Sequence, residues 1–418
     1  MTWLLRVLTC ATVALAPLEG YLHEVHPQLG KVAPGLLILT WAVQRVRERR
    51  LPAAHPLHAL LAVFAAVLLV SSAVHAGGVF TLEYTQRFLP FIVVTVVLVD
   101  VVAREVPVRA VLGAAVGGAV IAAVGALFSL VVGGDTRATG PLEDPNDLAY
   151  FLVVAMPLLI ALPARKLLVP VGALLAAGAA ATFSRGGGIA LACAAAWLVV
   201  RRGVSVRAVA VTVAGLAVIG LGAVAFAGPV LDKALAEKKY IAGTNVDTRE
   251  LRWQAAARML ADHPVLGVGL GGFRSSYAAA SHNAEVDEQT PVAHNIYLEI
   301  GAELGLPGLA CFLGAVAMGF VASERVLRTR RDHRPMPAFT ASAGVQQGAS
   351  RPSDRRNAGQ TLPVAALAVQ ASLLAALVAS TFLSEQYYLP IWSLVAVAAA
   401  ADLRREESER DACAARHQ

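Results

Sequence analysis

Charge is scarce in this chain: 15% of its 418 residues are Asp, Glu, Lys or Arg, against 57% that are hydrophobic. So apolar a chain cannot bury its greasy surface in one water-soluble core, which excludes an ordinary cytosolic domain and makes lipid its main solvent. Cysteine is sparse as well. Cys10, Cys193 and Cys311 fall in apolar stretches and Cys413 in the C-terminal tail, so the long polar stretch 229–293 has no disulfide to staple it. The formal charge of +6 would suit a nucleic acid, but the basic residues stand in short runs between apolar stretches. They read as topology signals, and no nucleic-acid partner is expected.

What the chain has in abundance is apolar runs, at 3–18, 32–43, 57–74, 88–103, 108–133, 147–163, 167–183, 188–200, 206–228, 300–321, 363–383 and 388–402. They specify an all-α integral membrane protein of about 12 transmembrane helices. Runs two, eight and twelve fall short of the ~20 residues a perpendicular helix needs, so they borrow flanking residues or sit in thinned bilayer. The first run resembles a signal peptide, with Arg6 before a short apolar core and Ala14-Leu15-Ala16 after it. It is kept as a helix, because cleavage would leave every later run oriented as before.

With the N-terminus in the cytoplasm, most of the 35 Lys and Arg residues fall inside. Lys31, Arg87, Arg137 and Arg185 stand one to each short outer loop, and the remainder lie in 229–293, long enough to translocate whatever its charge. Both termini are then cytoplasmic. Residues 1–228 carry helices one to nine, and 229–299 form a long helical extracytoplasmic loop between spans nine and ten that contributes to the active site. Residues 300–331 form helix ten and its cytoplasmic end, 362–402 helices eleven and twelve, and 403–418 a cytoplasmic tail. Between them 332–361, rich in Pro, Gly, Ser, Gln and Arg, reads as a disordered cytoplasmic linker.

Polar chemistry collects at the outer ends of these helices. In Thr182-Phe183-Ser184-Arg185-Gly186-Gly187-Gly188 an arginine sits at a helix mouth beside three glycines that allow close approach. It is placed to grip phosphate bidentately, or else to snorkel from a glycine turn. A helix runs from about Thr248, a candidate N-cap, to Asp262, with Arg249 and Arg252 in its first turns and Trp253, Ala256, Ala257 and Leu260 on one face. The following Gly267-Val268-Gly269-Leu270-Gly271-Gly272 imitates a dinucleotide fingerprint, but no strand precedes it and the reading is rejected.

His294-Asn295-Ile296-Tyr297-Leu298-Glu299 enters the next span at membrane level. His294 there suits a general base acting on a hydroxyl, or a packing role at a helix junction. Glu299 and Glu303, four apart on one face, either orient the histidine or an arginine or form a solvated face. Asp144, Asn146 and Asp147 in the turn Pro141–Asp147 read as helix caps before sugar ligands, and adjacent acids in such a turn converge poorly on a metal. No metal and no cofactor is expected.

Asp144-Pro145-Asn146, Ser184-Arg185-Gly186-Gly187, Arg249 four residues before Trp253, His263-Pro264-Val265-Leu266-Gly267-Val268-Gly269, and His294-Asn295-Ile296-Tyr297-Leu298 followed by Glu303-Leu304-Gly305 together resemble the O-antigen ligase and polymerase superfamily. The resemblance implies a glycosyltransferase of polysaccharide biosynthesis in the cell envelope. Its donor is a glycan on undecaprenyl diphosphate, its acceptor a glycan, lipid or protein hydroxyl, and it needs no metal. His294 is the implied base, and Arg185 and Arg249 the implied holders of the diphosphate. Arg252, Asn146, Asn295, Glu299, Glu303 and Arg87 are secondary candidates, with Arg137 and Arg274 of the same status as Arg87.

The alternatives are a polymerase joining lipid-linked repeat units and, in a different class, a polytopic transporter or flippase. A transporter would place charge near mid-membrane, whereas these runs are nearly free of it and Asp100 lies near one end of its run. The topology makes a direct prediction. A reporter fused after Gly243 is exported and one fused after Gly344 stays in the cytoplasm; both on one side would contradict the assignment.

Overall fold

The computed structural model describes the chain except residues 134–136, 143, 211–213, 215–247, 286–287, 333–351, 385 and 416–418, together with the side chains of 165, 330–332 and 352–361. The described residues are helical, with no strand among them. We label α1 Thr2–Leu15, α2 Glu19–Val25, α3 Leu29–Glu48, α4 Pro56–Val74, α5 Thr81–Arg104, α6 Val108–Val131, α7 Pro145–Ala155, α8 Leu168–Ala181 and α9 Arg185–Val200. After them come α10 at 248–262, α11 Gly272–Ala280, α12 Ile296–Asp332, α13 Pro352–Ala379 and α14 Leu389–Ala414.

Among the described residues, six helical segments are long and apolar enough to cross a membrane: Thr2–Val25, Pro56–Val74, Thr81–Arg104, Val108–Val131, Ile296–Thr329 and Leu362–Ala379. Pro145–Ala161, Leu168–Ala181 and Arg185–Val200 are apolar but shorter. The twelve runs of the hydropathy reading divide accordingly. Runs two and twelve lie in α3 and α14, whose C-terminal halves carry charges such as Arg45, Glu48, Arg404 and Arg405. Run nine lies mostly outside the described residues, as does much of the segment drawn as a linker. The described part of that linker, from Pro352, is the start of α13 and not a coil.

One end of the bundle is closed by ion pairs. Asp100 is fully buried and takes Arg45 Nε at 2.5 Å, Trp41 Nε1 at 2.7 Å and the Ala53 N–H at 2.8 Å. Buried Asp402 is held by Arg325 and Arg405 at 3.1 and 2.8 Å. A lone carboxylate buried this deeply would be very costly, and the guanidinium partners are what make its burial tolerable.

The opposite end is organised by a break in α12. Gly305 has φ 67° and ψ −170°, and Pro307 has no N–H to give to Glu303 four residues back. The freed carbonyls find other donors. Val268 N–H reaches the Ala302 oxygen at 2.8 Å, Gly269 N–H reaches the Glu303 oxygen at 3.0 Å, and Leu306 N–H turns outward to the Pro264 oxygen at 2.8 Å. Gly267 can approach only because it lacks a side chain: a Cβ there would meet the Glu303 carbonyl carbon at 2.3 Å. The glycine run that imitates a nucleotide fingerprint is thus the splint of a broken helix.

Close helix contact elsewhere also depends on glycine. On α6, a Cβ at Gly118 would lie 2.0 Å from the Ala14 carbonyl oxygen of α1, while one at Gly117 would meet nothing within 4 Å. Gly118→Ala is therefore expected to push α1 away and destabilise the detergent-solubilised protein by about 1–3 kcal/mol, seen as a lower thermal midpoint. Gly117→Ala should be neutral or slightly stabilising. Equal effects would show that the α1–α6 contact does not depend on this glycine.

Candidate functional site

Three helices begin together at the end of the bundle opposite the ion pairs, and each is capped from its own sequence. Asp144 caps α7 by accepting the Asn146 N–H at 2.7 Å. Ser184 caps α9 through the Gly187 N–H at 3.2 Å, and Asn295 caps α12 by accepting the N–H groups of Tyr297 and Leu298, both at 3.1 Å. The turn 380–388, between α13 and α14, binds all three. Its Ser380 oxygen accepts the Ile296 N–H at 3.0 Å, Tyr388 donates to Asp147 at 2.8 Å, and a Cβ on Gly186 would touch the Phe382 ring at 3.0 Å. Aligned N-termini carry partial positive charge and favour an anion at their mouths.

His294 stands immediately before the α12 cap in a left-handed conformation, φ 49°, which is uncommon for a residue with a side chain. Its imidazole is largely buried. Burial first, then the charges of Arg249 and Arg252, push its pKa down to about 4, with Asp144 and Glu288 opposing. The ring is therefore neutral at ordinary pH and able to accept a proton.

The arginines differ sharply in their partners. Arg252 is committed: it spans Glu285, at 3.1 Å through Nε and 3.0 Å through Nη2, and reaches Glu288 at 2.8 Å. Half-buried Arg249, one turn earlier on α10, pairs with no carboxylate among the described residues. Burial lowers its pKa, Arg252 and Arg137 lower it further, and Asp144 opposes. Arg137 gives Nε to the Thr182 oxygen at 3.0 Å and Nη2 to Asn146 Oδ1 at 3.4 Å. Arg185 opens α9 and is exposed.

The inward side of α10 cuts across the face shared by Trp253, Ala256, Ala257 and Leu260. Arg252, Ala255, Ala256 and Met259 face inward while Ala257 is exposed, because the small Ala-Met face packs against Phe273 and Tyr277 of α11.

Glu299 and Glu303 form no solvated face; they are 3% and 2% exposed. Glu299 accepts the Ala293 N–H at 2.9 Å, Gln386 Nε2 at 2.7 Å and the Ser384 hydroxyl. Glu303 lies against the backbone N–H groups of Gly271 and Phe273 at the start of α11. Arg87 stands apart, exposed and stacked 5.4 and 5.1 Å from the ring centres of Tyr84 and Tyr387. Arg274 lies 4.5 Å from the centre of the Phe80 ring.

The structure thus brings His294, Arg249, Arg252 and Asn295 together with Asp144 and Arg137, and leaves Arg87 and Arg274 on a separate aromatic platform. The turn 380–388 gave the sequence reading no signal, since Ser384, Gln386 and Tyr388 act through contacts with segments far away in the chain. Among the described residues, no cluster of three or more His, Cys, Asp or Glu has the spacing of a metal site.

No curated protein matches the chain. Residues 170–313, from α8 into α12, match a family described as O-antigen ligase, and they include Arg185, Arg249, Arg252 and His294. The family implies a lipid-linked glycan ligase or polymerase working in a membrane, in keeping with the apolar helices. This match, confined to residues 170–313, supports a likeness to the O-antigen ligase and polymerase superfamily.

Proposed function

We propose that the chain is an inverting glycan ligase. It transfers an oligo- or polysaccharide from undecaprenyl diphosphate to an acceptor hydroxyl at the outer face of the cytoplasmic membrane, with no metal ion. The end of the bundle that holds His294 faces outward in this reading, and both termini lie in the cytoplasm. The observation that carries it is a histidine whose pKa burial and neighbouring arginines push down to about 4, beside a half-buried guanidinium that forms no ion pair with a described carboxylate.

His294 takes the proton of the acceptor O–H as the acceptor oxygen bonds to the anomeric carbon. The bond from that carbon to the diphosphate oxygen breaks, its electron pair stays on oxygen, and undecaprenyl diphosphate leaves. Arg249 and Arg185 hold the diphosphate and stabilise the growing charge without reorganising. The N-termini of α7, α9 and α12 add to the same potential. Base and leaving group stand on opposite faces of the sugar, and the anomeric configuration inverts. A polymerase would use the same atoms with a second lipid-linked glycan as acceptor, so the acceptor separates the two: a lipid, a protein or another glycan in the ligase reading.

The test is transfer by purified protein from undecaprenyl-diphosphate-linked glycan to an envelope extract, with chelator present. His294→Ala should abolish transfer, and Arg249→Ala and Arg185→Ala should each lower it ~10²-fold or more. Lys should restore little, since a point charge does not reproduce a bidentate grip. Arg252→Ala should be milder on rate, because Arg252 is committed to Glu285 and Glu288. A base works only unprotonated, so lowering the pH costs activity at the base's pKa. With that pKa depressed, the wild-type rate should hold below the ~6.5 of an ordinary histidine and fall as pH drops through about 4. His294→Ala at near wild-type rate would end the reading.

A further inference from the structure

The backbone of His294 is held from both sides through its neighbours in the chain. On its C-terminal side, the Ile296 N–H and the Asn295 amide bond to the Ser380 and Thr381 oxygens at 3.0 and 3.3 Å. On its N-terminal side one carboxylate does the work: Glu299 reaches back over the first turn of α12 to accept the Ala293 N–H, and is itself held by Ser384 and Gln386.

We propose that Glu299 is a positioning residue, a buried acceptor that joins the turn 380–388 to the backbone of residue 293 and so keeps His294 in its left-handed conformation. This rests on the reading of His294 as the base. Capping α12 is not an adequate account of Glu299, because Asn295 already caps it. Nor is ion pairing, because no cation lies within ion-pair distance of Glu299 among the described residues. A carboxylate buried on neutral donors alone is a costly way to stabilise a fold, and a left-handed non-glycine residue persists only where its surroundings over-determine it. The two costs meet one residue apart.

The role is one of acceptor geometry, not charge. The charged groups that bear on the His294 ring are Arg249 and Arg252 of α10, Asp144 before α7, and Glu288; Glu299 reaches it only through the backbone. Glutamine can therefore replace it. In Glu299→Gln the amide oxygen keeps Ala293 and Ser384, and the amide nitrogen meets Gln386 once that side chain turns over, presenting the Gln386 Oε1 that now has no partner.

The test uses the full chain in lipid nanodiscs, undecaprenyl-diphosphate-linked oligosaccharide as probe, and an envelope extract as acceptor source. Glu299→Ala should lower kcat ~10²-fold with KM for the lipid-linked probe within about twofold, since the arginines hold the donor. The remaining activity should lose its acid limb at higher pH than wild type, because a released imidazole loses its burial first and then its closeness to Arg249 and Arg252. Glu299→Gln should keep both the rate and the acid limb. Should Glu299→Ala not accumulate, Ser384→Ala is read the same way, with a smaller loss and an acid limb shifted in the same direction. A loss of kcat with the acid limb in place, a Gln variant as poor as the Ala variant, or a fully active Ala variant would each overturn the proposal. His294→Ala in the same assay keeps the two ideas apart: if it transfers normally, the base reading fails whatever Glu299 does.

Discussion

A helix that enters an apolar environment must satisfy its own carbonyls, and α12 cannot. Gly305 leaves the helical region and Pro307 lacks a donor, so the Ala302 and Glu303 oxygens take the N–H groups of Val268 and Gly269 instead. That exchange fixes the loop after α10 against the first half of α12. It holds α10 and α11 above the bundle and keeps Asn295 and Glu299 on a short, rigid turn of helix. The position of His294 follows from the break as much as from its own neighbours.

The second constraint is electrostatic. At one end of the bundle, buried carboxylates and arginines neutralise each other, as Arg45 does Asp100 and Arg325 and Arg405 do Asp402. At the other, three capped N-termini gather with Arg137, Arg249 and Arg185, while Asp144 is spent largely on its own helix and Arg252 on two glutamates. The result is an excess of positive charge where protein is half-buried, which favours a ligand that brings negative charge. Burial holds the His294 pKa down and the charges of Arg249 and Arg252 add to it, so the arrangement that favours an anion also favours a free base.

The sequence made the Asp144 cap legible, because Asp144 precedes a helix by the spacing that lets a side chain reach an orphan N–H, whereas the Asn295 cap emerged only in the structure. It also made the glycine loop legible as something other than a nucleotide site. It could not show that Glu299 is buried, because a carboxylate four residues from another on a helix looks the same whether it meets water or the turn 380–388. Nor did the shared face of Trp253, Ala256, Ala257 and Leu260 reveal which side of α10 packs inward, because a helix of alanines has little amphipathic pattern and contact with α11 decides it. Arg137 stood only among the lesser candidates, since its partners, Thr182 just after α8 and Asn146 in the first turn of α7, are brought to it by packing.

The account depends on Arg249 and the N-termini of α7, α9 and α12 enclosing the diphosphate beside a neutral His294. A cryo-EM structure of the full chain in nanodiscs with undecaprenyl diphosphate tests this most directly. The account predicts diphosphate density in hydrogen-bonding contact with the Arg249 guanidinium, on the side of the cluster that the His294 ring faces. Diphosphate bound elsewhere, on the Arg87 and Arg274 platform or at the ion-paired end of the bundle, would contradict it.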